Sequence, residues 1–275
     1  LDSCFRRHDD AGAADGGPAA ISLMSSSQQD IRIYPTTAAL MEAAARHFVQ
    51  QARQAIETRD TLTLALAGGS TPKSLYALLA APPFRTQLDW TRVHFFWGDE
   101  RHVPPDHQDS NYRMARESLL NHLPVAPDHI HRVPSEIPDA RTAADRYEDM
   151  IRRHFDVLAP GVPRFDCVLL GMGPDGHTAS LFPGTQAAHE QHRLVAAPWV
   201  DTLQTSRITC TPALLNHARH VTFLVQGQHK AHMLRSALEG PLQPDLCPAS
   251  SIRPQSGTLT WFVDQEAASE LSRPS

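Results

Sequence analysis

An α/β fold built on a mainly parallel open sheet, with helices on both faces, is what this sequence predicts. Three observations carry the prediction. Short apolar runs alternate with helical stretches from residue 31 to residue 263. Two of those runs, 61–67 and 165–170, read as buried strands. Glycine-bearing turns with polar cargo follow the carboxyl ends of three of the strands, the edge where open α/β sheets bind ligands.

The elements follow in order. Residues 31–34 form a short strand. Residues 38–58 form a helix, because Leu40, Ala44, Phe48 and Ala52 recur at spacing four on one face. After the strand 61–67 comes Gly68-Gly69-Ser70-Thr71-Pro72, where Pro72 suits a first helical turn and Ser70 or Thr71 suits its cap. That helix runs to about residue 80. The strand 92–97 ends in Gly98-Asp99-Glu100-Arg101, and a polar loop leads to a helix from residue 112 to 121. A helix over 140–155 precedes the strand 165–170. Strands at 207–211 and 221–225, a helix from 230 to 238, and strands at 248–252 and 259–263 complete the expected sheet. No internal repeat and no linker divides the chain after the leader, so residues 29–275 read as a single domain.

Residues 1–28 differ. Ala, Gly, Asp and Ser dominate and no periodicity survives, so they read as a disordered leader, with Met24 a possible natural start. The leader lacks the apolar core of a secretory signal.

The 275 residues carry a formal charge of −5, with no basic tract, which argues against nucleic acid as a partner. No apolar run approaches the ~18–20 residues of a membrane span. The four cysteines, Cys4, Cys167, Cys210 and Cys247, are far apart and form no CxxC, as expected of reduced thiols in a cytoplasmic protein. Among sixteen histidines, His129 and His131 bracket Ile130, and His229 and His232 lie three apart. Neither pair finds a third ligand in a zinc spacing, so no metal is expected.

The densest chemistry lies in residues 171–184. Gly171, Gly173, Gly176, Asp175 and His177 fall within seven residues just past a buried strand. Glycines let the backbone turn and approach a ligand, and a histidine there can exchange protons near neutral pH. The stretch 171–176 also fits G-x-G-x-x-G. A dinucleotide site needs a helix starting on the glycines and an acid at the end of the next strand, whereas here Pro183 and Gly184 interrupt. No nicotinamide or other cofactor is expected.

Other constellations have bland and functional readings. Gly68, Gly69, Ser70 and Thr71 form either an ordinary capped turn or an anion cradle at a helix N-terminus. Asp99 and Arg101 are either a solvated turn or an acid orienting a cation that stabilises developing negative charge. Asp175 either sits in a turn or fixes the tautomer of His177. Arg207 and Lys230 are either solvated charges or two cations for a phosphate held at the cradle.

Taken in order, Gly68 to Pro72, Trp97 to Arg101 with Val103-Pro104 and Ser110-Asn111, and Gly171 to Pro183 closely resemble the 6-phosphogluconolactonases. Gly227 with Lys230-Ala231 adds a weaker match, and the resemblance spans about residues 30–270. It implies a Rossmann-like fold related to glucosamine-6-phosphate deaminase. Those deaminases continue their Gly-x-Gly-x-Asp-Gly-His segment with Ala-Phe-Asn-Glu-Pro, whereas this chain continues Thr178-Ala179-Ser180-Leu181-Phe182-Pro183. The glutamate used in ring opening is therefore missing.

The resemblance implies hydrolysis of 6-phospho-D-glucono-1,5-lactone, in the oxidative pentose phosphate pathway, without metal or cofactor. No Gly-x-Ser-x-Gly elbow is present, so direct attack by water is the simplest mechanism. His177 is expected as general base, Arg101 as oxyanion or lactone ligand, and Asp175 and Asp99 as orienting groups. Gly68, Gly69, Ser70, Thr71, Arg207 and Lys230 are expected to bind the 6-phosphate. A monomer or weak homo-oligomer is expected. An amino-sugar-phosphate isomerase or deaminase, and a sugar-phosphate sensor, are the alternatives.

Overall fold

The computed structural model describes residues 21–24 and 29–272. In chain order the strands and α-helices are β1 (Ile21–Met24), β2 (Gln29–Tyr34), α1 (Thr37–Arg59), β3 (Leu62–Leu66), α2 (Ser70–Leu79), β4 (Val93–Trp97), β5 (Asp99–Arg101), α3 (Asn111–Ser118), α4 (Ala140–Phe155), β6 (Cys167–Gly171), β7 (Val195–Ala196), β8 (Trp199–Val200), β9 (Thr205–Cys210), α5 (Pro212–Leu215), β10 (His220–Val225), α6 (Ala231–Glu239) and β11 (Thr258–Asp264). Seven strands form one sheet in the order β1-β2-β11-β10-β6-β3-β4, parallel except for β1.

Alternation along β4 fixes the layers. Phe95 packs on Trp90, which stacks on Phe48 of α1. The flanking Phe96 meets His154 and Phe155 of α4. Successive strand side chains point to opposite faces, so α1 and α4 cover opposite faces of the sheet. Helix α1 begins where the Thr36 hydroxyl accepts from the amide of Ala39, and it buries the expected Leu40, Ala44, Phe48 and Ala52. At the centre of the sheet, β3 is buried along its whole length and β6 along all but its last residue.

The strand order locates a crevice. From β3 the chain steps outward to β4, then returns across β3 to β6 and proceeds through β10 and β11 the other way. The order therefore reverses between β3 and β6, and a ligand cleft is expected outside the carboxyl ends there. Pairing of β3 with β6 covers only Leu64↔Cys167 and Ala65↔Val168. By contrast, β3 stays with β4 to Leu66↔Trp97, and β6 stays with β10 to Leu224↔Gly171. The two central strands part just before Gly68 and Gly171.

Three expectations change. Residues 207–211 do not extend the main sheet. They lie mostly in β9, which pairs antiparallel with β5, β7 and β8 in a small second sheet. Residues 248–252 are not a strand but contain a 3-10 turn, Pro248–Ser251, with Pro248 in its first positions. Within the stretch expected as a leader, Ile21–Met24 pair with β2. The rest of that stretch lies outside the described residues.

Candidate active site

Each chemically marked turn leaves the sheet at the crevice. The first is the helix α2 entry. Gly69 has φ 97°, a left-handed conformation that suits glycine, and no side chain caps the helix there. The expected cap from Ser70 or Thr71 is absent, so the amides of the first turn are left to a ligand or water. Ser70 is exposed and Thr71 buried. Gly68 cannot carry a side chain, because a Cβ would lie 2.0 Å from Asn111 Oδ1.

That close approach begins a buried polar chain. Asn111 Nδ2 donates to the carbonyl of Asp99 at 3.0 Å and to its Oδ1 at 3.3 Å. Ser180 Oγ donates to Asp99 Oδ2 at 2.7 Å, and the Ser180 amide donates to Thr209 Oγ1 at 3.1 Å. Asp99 thus ties its own turn after β4 to the start of α3 and to the loop after β6, while Gly68 packs against the Asn111 side chain. It was expected to orient Arg101, but its carboxylate is occupied by Asn111 and Ser180. Arg101 instead donates from Nη1 to the carbonyl of Asp109 at 2.6 Å. Asn111, Ser180 and Thr209 were not singled out for this role, since their contacts join residues distant in sequence.

Glu100 is also a supporting residue. Its buried carboxylate accepts from the amides of Arg101, Asn111 and Tyr112 and from the Ser110 hydroxyl, fixing the entry of α3. Burial pushes its pKa up to about 7, although those amide hydrogen bonds pull the other way.

The second sheet places two cations side by side. Arg101 of β5 stands opposite Arg207 of β9. Burial lowers the Arg207 pKa and the Arg101 charge adds to this, so the pair favours an anion between or above them.

The third turn carries Asp175 and His177. Asp175 Oδ1 lies 2.5 Å from His177 Nδ1 and also accepts the His177 amide at 3.2 Å. Burial pushes the Asp175 pKa up, but its hydrogen bonds and attraction to His177 win and leave it below the usual value. The His177 ring stacks on Phe182, with centroids 4.3 Å apart, and the side chain keeps 29 % exposure, enough to meet a water molecule. Gly173 clears the space for it: a Cβ there would sit 2.2 Å from the ring. Gly176, at φ 80°, lies over Cys247 and Met233, and its carbonyl accepts the Ala249 amide at 3.0 Å. The 3-10 turn at Pro248–Ser251 therefore buttresses the histidine loop.

Lys230 reaches the same loop, its Nζ donating to the carbonyl of Met172. Burial lowers its pKa, while Asp175 and Asp264 oppose the shift. Asp264, at the end of β11, holds the preceding turn by accepting the Gly227 amide at 3.0 and 3.1 Å. Asp175 and Phe182 also line a cavity of about 690 Å³ that extends toward Arg141, Arg193 and Trp199. Of the expected site residues only Asp175 lines this cavity, so it adjoins the crevice rather than forming it.

The geometry thus joins Asn111, Asp99 and Ser180 through one network, stands Arg101 opposite Arg207, and bonds Lys230 to the loop that carries Asp175 and His177. Residues 35–261 match the family described as glucosamine-6-phosphate isomerases/6-phosphogluconolactonase. A 6-phosphogluconolactonase from Synechocystis sp. is 42 % identical over 84 % of this chain and 94 % of its own length. One from Haemophilus influenzae is 34 % identical over 85 % of this chain and 96 % of its own. The 6-phosphogluconolactonase structure from Trypanosoma cruzi superposes with a TM-score of 0.79 at 34 % identity, covering 91 % of this chain and 99 % of that one. A monomeric glucosamine-6-phosphate deaminase shares the fold with a TM-score of 0.74 at 21 % identity, over 87 % of this chain and 99 % of that one.

Proposed function

This chain belongs to the glucosamine-6-phosphate isomerase/6-phosphogluconolactonase family, and we propose that its crevice hydrolyses 6-phospho-D-glucono-1,5-lactone through water activated by His177. The Asp175–His177 contact is the observation that supports this most. An Nδ1–H donated to that carboxylate leaves the other ring nitrogen with the free lone pair that a general base needs.

Water attacks the lactone carbonyl as His177 takes its proton. The carbonyl oxygen becomes an oxyanion beside Arg101, and collapse of the tetrahedral intermediate breaks the ring C–O bond. The imidazolium returns the proton to the departing ring oxygen, giving 6-phosphogluconate and the starting enzyme. The amides at Gly69, Ser70 and Thr71, with Arg207 and Lys230, hold the phosphate and so fix the carbonyl against His177. Asp99 ties its own turn to the loop after β6, with Gly68 giving Asn111 room to reach it.

This reading includes a cytoplasmic enzyme acting as a single domain, monomeric or weakly associated. Cys167, Cys210 and Cys247 are buried free thiols, as suits a reducing compartment, and no helix among the described residues is long and apolar enough to cross a membrane.

A coupled assay tests the proposal. Glucose-6-phosphate dehydrogenase supplies the lactone, and 6-phosphogluconate dehydrogenase reports its hydrolysis. Acceleration over spontaneous hydrolysis is expected, and His177→Ala should lower turnover roughly 10²–10⁴-fold. A folded His177→Ala protein with a near-normal rate would remove the histidine from the mechanism. No acceleration by the unaltered enzyme would remove the activity itself.

A further inference from the structure

On β4, facing away from α1, three imidazoles from distant parts of the chain meet. His94 lies near the start of β4, and His154 lies in the last turn of α4. His131 is delivered by the segment after residue 129, where its amide donates to the carbonyl of Phe95 at 2.8 Å and Ile130 bridges to Phe95. The ring centroids of His94 and His154 are 4.6 Å apart, those of His131 and His154 4.7 Å, and those of His94 and His131 5.4 Å. One ring nitrogen from each lies within 4.8 Å of the other two, and this is the one such group of metal-ligating side chains among the described residues.

We propose that His94, His131 and His154 form a binding site for a late first-row divalent cation of the zinc class, with water in the fourth position. This inference does not rest on the proposed lactonase chemistry.

The distances suit that ligand. Zinc bound by imidazole at ~2.0–2.1 Å in a tetrahedron separates its donors by about 3.3 Å. His94 Nδ1 and His131 Nε2 already stand 3.2 Å apart in a hydrogen bond, which a bound cation would replace. The His154 donor lies within 4.8 Å of both, so its ring has to turn toward them to complete the set. An all-nitrogen set is also what zinc, nickel and copper prefer over magnesium or calcium.

Ordinary core packing explains the set poorly. His131 and His154 do lie against Phe96, yet four polar rings gather here where apolar ones would fill the same space. The fourth, His129, lies tilted against His94 with centroids 4.0 Å apart and leaves a buried Nδ1 without a hydrogen-bond partner. The site is half-buried, so a cation can enter from solvent. Sequence spacing sees only the His129–His131 pair, because the other two ligands are 37 and 23 residues from His131.

A bound ion would clamp the edge strand β4 to the C-terminal turn of α4. His94 is three residues before the end of β4, about 10 Å along the strand from its carboxyl end. The lactone site should therefore be indifferent to the ion.

The test uses the full chain without an affinity tag, stripped by a chelator and titrated with Zn²⁺ by calorimetry, then with Co²⁺ by visible spectroscopy. One equivalent of Zn²⁺ is expected, with the visible bands of tetrahedral Co²⁺ and a rise in Tm of roughly 5–10 °C at saturating metal. His154→Leu keeps the packing volume and His131→Ala removes a second ligand. Each should abolish binding while lactone hydrolysis, the check on folding, stays near the unaltered rate. His189→Ala, outside the cluster, should bind normally. Absence of stoichiometric binding to the unaltered chain overturns the proposal. So does binding that survives in whichever of the two ligand variants retains activity.

Discussion

At the scale of single residues, the proposed role of His177 depends on the space around its ring. Gly173 is required by a close approach, since nothing in its own φ demands glycine. Gly173→Ala should therefore leave the fold intact and push the imidazole off Asp175. Turnover should fall roughly 10²-fold, as for a catalytic group displaced by about 1 Å. Steady-state kinetics beside a thermal melt checks this, and an unchanged kcat would show that the ring has room to spare. Lys230→Ala should act differently. If Lys230 holds the phosphate equally in ground and transition states, KM rises roughly ten- to hundredfold with kcat little changed. The contact between Asp175 and His177 was legible because glycines around an acid and an imidazole fall within one short window, whereas Lys230 lies outside it and reaches the loop only in the fold. Asn111, Ser180 and Thr209 were not legible, because each matters only through a partner brought close by the sheet.

Elements enter the function through their ends. Helix α3 is anchored on Glu100, a buried carboxylate whose pKa is raised to about 7 mainly by burial. A carboxyl whose folded pKa lies above its unfolded value stabilises the fold fully below the unfolded value, near 4.5. That contribution is lost as pH rises through about 7. Glu100→Gln has no such ionisation. Its unfolding free energy, relative to the unaltered protein, should therefore improve between pH 5 and pH 8, even if the variant is less stable at both. Urea melts at the two pH values decide it, and a difference that does not change with pH would sink the assignment. The strands around Glu100 show where sequence reading stops. A period-two pattern needs more than three residues to register, so β5 read only as a turn. The segment at Pro248–Ser251 read as a strand from its apolar flank, yet Pro248 starts a tight turn whose next amide serves Gly176.

For the molecule as a whole, the crevice exists because the two central strands β3 and β6 part, and two tyrosines satisfy the backbone where β3 and β4 end. Tyr76 Oη both accepts the Ala67 amide and donates to its carbonyl, each at 2.9 Å. Tyr147 Oη does the same at Trp97, at 2.8 and 3.0 Å. Each phenol satisfies backbone groups at the point where a strand gives way to a site turn, and both are fully buried. Tyr76→Phe and Tyr147→Phe should each cost about 1–3 kcal/mol in denaturant melts, the penalty for a stranded backbone pair. A loss below about 0.5 kcal/mol would mean that water replaces the hydroxyl. Alternation of strands and helices made the fold class legible from one end of the domain to the other. The strand order was not, since no local pattern says that β6 returns past β3.

The grip of Asp264 on the Gly227 turn has a consequence for how the enzyme is made. Every residue proposed to touch the lactone lies before residue 231, so a ribosome has released the whole chemical complement while β11 is still inside its tunnel. Without β11, the Gly227 turn lacks its carboxylate anchor and β10 lacks a neighbour on one side. A nascent chain halted before residue 258 would hold all of its reactive groups and still be idle. Catalysis should switch on only when β11 docks, so activity reports that docking rather than the arrival of any catalytic side chain.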